Sequence, residues 1–335
     1  MEAYFDNAAT TKVFPEVKDL VVKLMEEDYG NPSSLHQKGL DAGHYIKETK
    51  EILAKEWKVD SKEIVLTSGG TESNNLALIG AALANKRSGN RIITSKVEHA
   101  SVSSTMAFLE SLGFEVVYLN VDHQGIVDLE QLEQEVNEDT ILVSVMYVNN
   151  EIGAVEPIQE IAEIIKEKNP KTLFHVDAIQ AFGKYHIYPK RMGIDLMSVS
   201  GHKIHGPKGT GALFIKNRTK VKPIIYGGGQ QDGMRSGTEN VPGFAGFGLA
   251  TKIVYEDLEA RIVRMRAVKD RLTERLKALP DVYINEGEAP HILSVSFVGV
   301  RSEVMLHALE EREIYVSSGS ACSSNKPAVS HVLSS

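Results

Sequence analysis

The sequence has a single cysteine, Cys322, among its 335 residues. One thiol cannot form an intramolecular disulfide and cannot supply a cluster of cysteine ligands to a metal ion. The chain also lacks a run of about 20 apolar residues, the length needed to span a bilayer. No basic region followed by an apolar run marks the N-terminus as a signal peptide. These absences predict a cytoplasmic protein without a membrane partner.

Positive charge is also scarce, since 37 lysine and arginine residues stand against 45 aspartate and glutamate residues, for a formal net charge of -8. The phosphates of nucleic acids and anionic lipids repel a chain with this balance. We therefore expect no direct nucleic-acid partner. The remaining composition is that of an ordinary globular protein, and the length allows one large domain plus a smaller one.

Apolar runs of strand length alternate with amphipathic helical stretches in the first two thirds of the chain. Two of the predicted helices cover residues 101–112 and 157–168. The predicted strands cover residues 64–66, 91–94, 115–119, 141–146, 172–176, 195–199 and 211–215. This alternation predicts an α/β fold, with a mainly parallel sheet that is covered on both faces. Ligands of such sheets bind at the carboxyl ends of the strands.

The pattern changes near residue 255. A long charged helix over residues 256–279 precedes short strand candidates at 282–285, 292–298 and 314–316. This arrangement favours a second, smaller α+β domain. The alternative is that the helix forms a lid on the first domain.

Two segments that follow predicted strands contain candidate ligand contacts. Gly70 and Thr71 lie at the start of a helix, where backbone amides and the Thr71 hydroxyl could hold a phosphate. An ordinary capped helix start would explain the same pattern. His99 follows the end of another strand, where an imidazole could stack on a flat cofactor or transfer protons. Alternatively, His99 packs or caps the next helix.

Asp177 and Gln180 follow the predicted strand over residues 172–176. A buried carboxylate is costly unless it has a cationic partner or hydrogen-bond donors. A protonated pyridine nitrogen would be such a partner, and Gln180 could donate to a phenolic ring oxygen. The alternative is that Asp177 caps a following helix.

The segment over residues 198–211 carries the strongest local signal, because Lys203 stands there among glycine, serine and histidine residues. A lysine in a confined site loses solvation, so its pKa falls and its amine becomes nucleophilic toward an aldehyde. Ser200 and His202 are placed to bind a phosphate. A solvated loop lysine is the competing interpretation, and it fits Lys208 better than Lys203. By itself the segment supports little more than an anion site beside a lysine that could react with an aldehyde.

Two later segments are rich in small residues. The loop over residues 227–240 has five glycines and a central Arg235, so it could wrap an anion, with Thr238 as a phosphate donor, or form a plain hairpin. Cys322 lies among serines, a setting that suits a nucleophile that moves between sites. A lone cysteine can also be an incidental buried thiol.

Together with the segments over residues 4–11 and 29–34, these motifs in this order resemble the NifS/IscS family of cysteine desulfurases. The resemblance covers essentially the whole chain, and the residues around Cys322 are similar to those of the group I members. That family belongs to the fold-type I pyridoxal-phosphate enzymes, which are built like aspartate aminotransferase.

The resemblance implies a large domain with a mainly parallel seven-stranded sheet over residues 14–257, which binds the cofactor. It implies a smaller α+β domain formed by residues 1–13 and 258–335. Family members continue past the position of Ser335 with a further strand, a final helix and the arginine expected to bind the substrate carboxylate. We therefore expect the small domain to be incomplete at its C-terminal end.

The resemblance also implies the roles of the site residues. Lys203 would carry pyridoxal 5'-phosphate as a Schiff base, His99 would stack on its ring, and Asp177 would pair with its pyridine nitrogen. Asn150 and Gln180 would reach the ring hydroxyl. The phosphate would be held by Gly70, Thr71, Ser200 and His202. Thr238 would reach the phosphate of a neighbouring subunit, which implies a homodimer.

The implied reaction converts L-cysteine to L-alanine, with Lys203, His99 and Cys322 as the catalytic residues. Cys322 would take the sulfur as a persulfide and pass it to an acceptor, such as an iron–sulfur scaffold or a tRNA-thiolation enzyme. The resting enzyme would hold no metal, and Cys322 would contact a nascent iron–sulfur cluster transiently. Two alternatives remain open at this point: a selenocysteine lyase and a non-catalytic assembly scaffold.

Overall fold

The computed structural model describes residues 2–285, 287–318 and 331–334. Its strands are β1 Ala3–Tyr4, β2 Ile64–Thr67, β3 Arg91–Ser95, β4 Glu115–Leu119, β5 Thr140–Met146, β6 Leu173–Asp177, β7 Leu196–Ser200, β8 Gly211–Ile215, β9 Val282–Asn285, β10 Ser294–Phe297 and β11 Ile314–Tyr315. Its helices are α1 Pro15–Glu26, α2 Gln37–Trp57, α3 Gly70–Asn85, α4 Ala100–Ser111, α5 Leu129–Glu135, α6 Ile158–Lys168, α7 Val241–Glu256, α8 Leu258–Lys277, α9 Ser302–Glu310 and α10 His331–Ser334.

The central sheet has seven strands in the order β2-β8-β7-β6-β5-β3-β4. All neighbouring strands run parallel except β8, which is antiparallel to both β2 and β7. The predicted mainly parallel seven-stranded sheet is confirmed. Because β8 alone is reversed, β2, β3, β5, β6 and β7 all present their carboxyl ends at one edge.

Helices cover both faces of the sheet, and alternate strand residues pack into two separate cores. Ile93, Val143 and Phe174 point into the first core, together with residues of α2, α6 and α7. Their neighbours Ile92 and Leu142 point into the second core, against α3 and α4. Burial on both faces explains why these strands are continuous apolar runs. The two cores hold the carboxyl ends of the strands in fixed positions.

The remaining strands form two small sheets outside the central one. β9 pairs antiparallel with β10, and β1 pairs parallel with β11. Helix α8, which confirms the long charged helix, buries only its first residue, Leu258, among its positions. These features support the proposed division into a large domain over residues 14–257 and a small domain from residues 1–13 and 258–335. In the part of the chain that the structure describes, no helix is long and apolar enough to cross a membrane.

Candidate active site

The first turn of α3 lies against the end of β7. Gly69 has φ +148° and ψ -175°, a conformation that is essentially restricted to glycine. A Cβ on Gly69 would lie 3.9 Å from Ser200 Oγ, and one on Gly70 would lie 3.8 Å from Ser200 Cβ. The structure thus brings Gly70 and Ser200 together at a helix N-terminus, and exposed Thr71 follows directly. Backbone amides at such a position favour an anion.

His202 lies two residues beyond Ser200, in a 3-10 turn that spans Gly201–Lys203. Its Nδ1 is 3.2 Å from the hydroxyl of Thr10. Burial, followed by the nearby charges of Lys203 and other lysines, lowers the pKa of His202 to about 4. At neutral pH the imidazole is therefore uncharged, so it would contact a phosphate as a neutral hydrogen-bond donor.

Asp177 is the last residue of β6 and is 4% exposed. Its Oδ1 accepts a hydrogen bond from the backbone amide of Ile179 at 3.0 Å, and its Oδ2 accepts one from Asn74 Nδ2 at 2.8 Å. Burial raises the pKa of Asp177, while His99 and Lys203 act in the opposite direction. The alternative that Asp177 caps a following helix is wrong, because residues 178–185 form turns and a bridge.

His99 is the N-terminal cap of α4, and its Nδ1 accepts a hydrogen bond from the backbone amide of Ser101 at 3.1 Å. The capping role that the sequence left open is therefore confirmed. Nδ1 also lies 2.9 Å from Ser101 Oγ, which in turn accepts from Asn74 Nδ2 at 2.9 Å. Asn74 thus joins His99 and Asp177 into one hydrogen-bonded chain. His99 and Thr71 both line an open pocket of about 470 Å³.

Lys203 is half-buried at the end of the 3-10 turn. Its Nζ donates to the backbone carbonyl of Ala9 at 2.8 Å and to that of Ala8. Gln180 Nε2 donates to the same Ala8 carbonyl at 2.9 Å. The two predicted site residues therefore meet at the N-terminal segment. Lys208, by contrast, is exposed.

Three further predicted residues are less closely tied to this cluster. Asn150 is half-buried in the turn that follows β5. Thr238 is exposed, in a loop whose Arg235 pairs with Glu72 of α3 at 2.8 Å. This ion pair attaches the glycine-rich loop to the helix that begins at Gly70. Cys322 lies outside the described residues.

The sequence interpretation missed two residues that contact the predicted ones. Asn74 has been described above. His291 Nε2 lies 3.2 Å from Gln180 Oε1, and burial, with the charges of nearby lysines, holds the pKa of His291 well below its usual range. The sequence does contain a signal for Asn74. It is one of two consecutive asparagines in the first turns of α3, and asparagine is unfavourable in a helix interior. His291 has no comparable signal, since its partner is 111 residues away.

Glu98, next to His99, is a buried carboxyl group that the sequence interpretation also missed. Its Oε1 accepts hydrogen bonds from Ser95 Oγ at 2.7 Å and from the backbone amide of Met146 at 2.9 Å. Burial raises the pKa of Glu98 from its ordinary 4.5 to about 8, and the nearby carboxylates of Asp177 and Glu156 act in the same direction. Glu98 is therefore protonated in the folded protein at neutral pH.

Glu98→Gln should flatten the dependence of stability on pH. The unfolded chain releases this proton near pH 4.5, whereas the folded protein keeps it to about pH 8. The contribution of Glu98 is thus complete below pH 4.5 and is lost as the pH rises to 8, at up to about 1.4 kcal/mol per pH unit. Urea unfolding at pH 5.5 and pH 8 should show a smaller loss of unfolding free energy in the variant, by up to about 3 kcal/mol. Equal losses in both proteins would contradict this assignment.

Comparisons with known proteins identify the family of this chain. Residues 3–334 match the family model described as Aminotransferase class-V. The cysteine desulfurase IscS of Dictyoglomus turgidum is 44% identical over 337 residues, which cover 99% of this chain and 85% of that protein. A solved structure described as a NifS-like protein has a TM-score of 0.94 at 39% identity, and the match covers 100% of this chain and 89% of that one.

A second solved structure, SspA in complex with cysteine, has a TM-score of 0.84 at 34% identity, and the match covers 99% of this chain and 93% of that one. These similarities extend over almost the full chain and include both sequence and fold. The chain therefore belongs to the aminotransferase class-V family and, within it, to the IscS/NifS cysteine desulfurases.

Proposed function

We propose that this protein converts L-cysteine to L-alanine in the cytoplasm, with pyridoxal 5'-phosphate attached to Lys203, and that Cys322 takes the sulfur as a persulfide. One observation carries the proposal: a buried carboxyl group, Asp177, and a half-buried amine, Lys203, lie at the same edge of the sheet. The cysteine desulfurase relatives and the cysteine-bound structural relative support the choice of substrate.

The residues present fit pyridoxal phosphate. Within the described part of the chain, both hydrogen-bond donors to the Asp177 carboxyl, Asn74 and the Ile179 amide, are neutral. A protonated ring nitrogen would supply the cation that a buried carboxylate needs. The start of α3 with Ser200 and His202 would hold the phosphate, and Asn150 and Gln180 would hold the ring hydroxyl.

Gln180 would have to change partners to reach the ring hydroxyl. Its amide nitrogen now donates to the Ala8 carbonyl, and its amide oxygen faces His291. Lys203 Nζ likewise donates to the carbonyls of Ala8 and Ala9. The N-terminal segment therefore occupies the hydrogen-bonding groups that the cofactor would use, and binding exchanges these contacts for new ones.

When bound, pyridoxal phosphate supplies an electron sink for the pair of electrons that remains after the substrate α-proton leaves. Asp177 keeps the proton on the ring nitrogen. Lys203 Nζ would accept the α-proton as general base, and His99 would transfer protons. The Cys322 thiolate attacks the substrate sulfur, so a sulfur–sulfur bond forms while the carbon–sulfur bond breaks, and the carbon takes up a proton to give alanine.

The persulfide sulfur then needs an acceptor protein, such as an iron–sulfur scaffold or a tRNA-thiolation enzyme. We also propose a homodimer in which Thr238 reaches the phosphate of the second subunit. Tyr226, in the segment just before the glycine-rich loop, is 77% exposed, and Ile225 is 37% exposed. Ile225 pairs with Arg235 of this loop, and exposed apolar side chains at the loop support a protein partner there.

Cys322→Ala should lower sulfide release from L-cysteine by about 100-fold or more, because the variant lacks the nucleophile. The yellow colour of the cofactor should remain, since no residue that holds it changes. The wild-type protein, incubated with L-cysteine alone, should form alanine and gain the mass of one sulfur on the peptide that contains Cys322. Ser323→Ala is the matched control and should keep both signals.

The same variant separates the alternatives. Sulfide release at the wild-type rate from Cys322→Ala would contradict the persulfide role. Loss of activity on L-cysteine with retained release of selenide from L-selenocysteine would indicate a selenocysteine lyase. A wild-type protein that stays colourless with added pyridoxal phosphate would indicate a non-catalytic scaffold.

A further inference from the structure

Asn74 is a fully buried residue of α3, one turn beyond Gly70. Its amide nitrogen donates to two side chains, one on a strand and one on a helix. These are Asp177 Oδ2 of β6, at 2.8 Å, and Ser101 Oγ of α4, at 2.9 Å. These partners lie 103 and 27 residues away in the sequence. One side chain therefore connects the carboxyl end of β6 with the first turn of α4.

The Asn74 amide is oriented so that its nitrogen, and not its oxygen, forms the hydrogen bonds to neighbouring side chains. Asn74 Oδ1 is buried and has no hydrogen-bond partner among the residues that the structure describes. The reversed amide would turn this oxygen toward the Asp177 carboxylate and lose both donated hydrogen bonds. A buried acceptor without a partner is costly. The orientation of the amide is thus fixed by the need to donate to Asp177 and Ser101.

The Asn74 amide nitrogen can only donate, so it determines the direction of the hydrogen bond to Ser101. Because Ser101 Oγ accepts from the amide, its own hydrogen is available for His99 Nδ1, 2.9 Å away. The same Nδ1 also accepts from the Ser101 backbone amide, which can only donate. A neutral imidazole with two donors at Nδ1 carries its hydrogen on Nε2. The Ser101 backbone amide therefore fixes the tautomer of His99, and the chain from Asp177 adds a second hydrogen bond that orients its ring.

We propose that Asn74 is a positioning residue that acts on both sides of the cofactor site. Through one N–H it orients the Asp177 carboxyl toward the site and favours its ionised form. Through the other N–H, by way of the Ser101 hydroxyl, it orients the ring of His99. The first of these two effects rests on the proposed pyridoxal-phosphate site, whereas the second concerns this chain alone.

The test is Asn74→Leu, which keeps the number of side-chain heavy atoms and removes both donors. Asn85→Leu is the matched control, because Asn85 lies at the other end of α3 and, among the described residues, donates to the backbone carbonyls of Ala81 and Lys220. Asn74→Leu should weaken pyridoxal-phosphate binding by about 10- to 100-fold, the range for a lost hydrogen bond to a charged group. Asn85→Leu should bind like the wild type.

The pH dependence separates positioning from simple loss of structure. A hydrogen bond to the charged form of a carboxyl group lowers its pKa, so without Asn74 the Asp177 carboxyl should keep its proton to higher pH. The loss of cofactor affinity should therefore be larger at pH 6 than at pH 8. Equilibrium dialysis at both pH values measures it. A loss of equal size at both pH values would contradict the role toward Asp177.

The role toward His99 is measured in protein without cofactor, by NMR of ¹⁵N-labelled histidine, with His99→Gln to assign the signal. The wild type should show an unprotonated Nδ1 that accepts hydrogen bonds, and Asn74→Leu should move the Nδ1 signal toward that of a weaker hydrogen bond. Ser101→Ala should cause the same shift, because it removes the hydroxyl hydrogen bond to Nδ1 but keeps the backbone amide. The double variant should shift His99 no further than Ser101→Ala alone.

The outcomes distinguish this inference from the proposed function. Wild-type cofactor affinity and a wild-type His99 signal in Asn74→Leu would overturn the positioning role. A wild-type protein that binds no pyridoxal phosphate would overturn the proposed function, and the His99 signal would still test the hydrogen-bonded chain. Should the leucine variant aggregate, Asn74→Ala keeps a strong helix former at this position and is measured in the same way.

Discussion

Lys203→Ala should give a colourless protein that no longer fixes pyridoxal phosphate on treatment with borohydride. Its kcat/KM for L-cysteine should fall by about 10⁴-fold, the upper end of what one general base contributes. The reason is that Lys203 holds two roles in the proposed mechanism: its amine attaches the cofactor, and it then removes the substrate α-proton. The measurements are the visible absorbance and the mass of the reduced, digested protein.

The experiment must also distinguish Lys203 from Lys184. It is a second buried lysine, whose Nζ donates to the backbone carbonyl of Lys203 at 2.7 Å. Burial, and then the charge of Lys203, lowers the pKa of Lys184 to about 7, so a fraction of its amine is neutral and nucleophilic at neutral pH. Peptide mass after reduction therefore decides which lysine carries the cofactor. Attachment to Lys184 in the wild type would contradict the assignment.

Lys208→Ala is the matched control for Lys203→Ala. Lys208 belongs to the same glycine-rich segment, but it is exposed. Its removal should leave the colour, the borohydride product and kcat/KM close to wild type. An equal loss in both variants would mean that the segment tolerates no change, and the specific role of Lys203 would then be rejected.

Asp177→Asn should lower kcat/KM for L-cysteine by about 10³-fold and weaken cofactor binding, because a neutral amide cannot keep the ring nitrogen protonated. The variant has nearly the same shape, so the fold is retained. In protein without cofactor its melting temperature should fall less than that of Asp195→Asn, since burial already raises the pKa of Asp177 and a neutral side chain offsets part of the lost hydrogen bonding.

Asp195→Asn is the control with the opposite expected pattern. Asp195 is equally buried, at 4% exposure, and lies just before the start of β7, away from the site edge. Its carboxylate pairs with Lys166 at 2.7 Å and with Lys216 at 3.0 Å. This variant should lower the melting temperature and leave cofactor binding intact. Reduced melting temperature with normal activity in Asp177→Asn would contradict the catalytic role.

The strands of the central sheet could be predicted from the sequence to within one residue at each end. Each is a short apolar run, and all of them except the edge strand β4 are largely buried, so composition reveals them; β5, residues Thr140–Met146, is buried at every position. The strand order could not be predicted, because β2 joins the sheet through β8, from the far end of the domain. Pairing across such distances leaves no local pattern.

The candidate site also has parts that could be predicted from the sequence and parts that could not. Asp177, His99 and Lys203 could be predicted because each follows a strand and each is chemically unusual at its place. Their partners could not, since the Ala8 carbonyl is 195 residues from Lys203. A backbone carbonyl has no sequence signal at all, and nothing in the residue type of Ala8 reports its role.

The N-terminal segment links two regions of unequal stability. At one end, the two-residue pair of β1 with β11 depends on the hydrogen bonds from the Ala3 and Phe5 amides, at 2.8 and 2.9 Å. At the other end, Thr11 bonds to the His202 carbonyl beside the buried core. Such a short pair opens more easily than the centre of a domain. Amide hydrogen exchange should therefore be fast at Ala3 and slow at Thr11, so that the segment frays toward Ala8. Each opening that reaches Ala8 removes a carbonyl partner of the Lys203 amine, so local unfolding of the chain's first residues changes the surroundings of that amine.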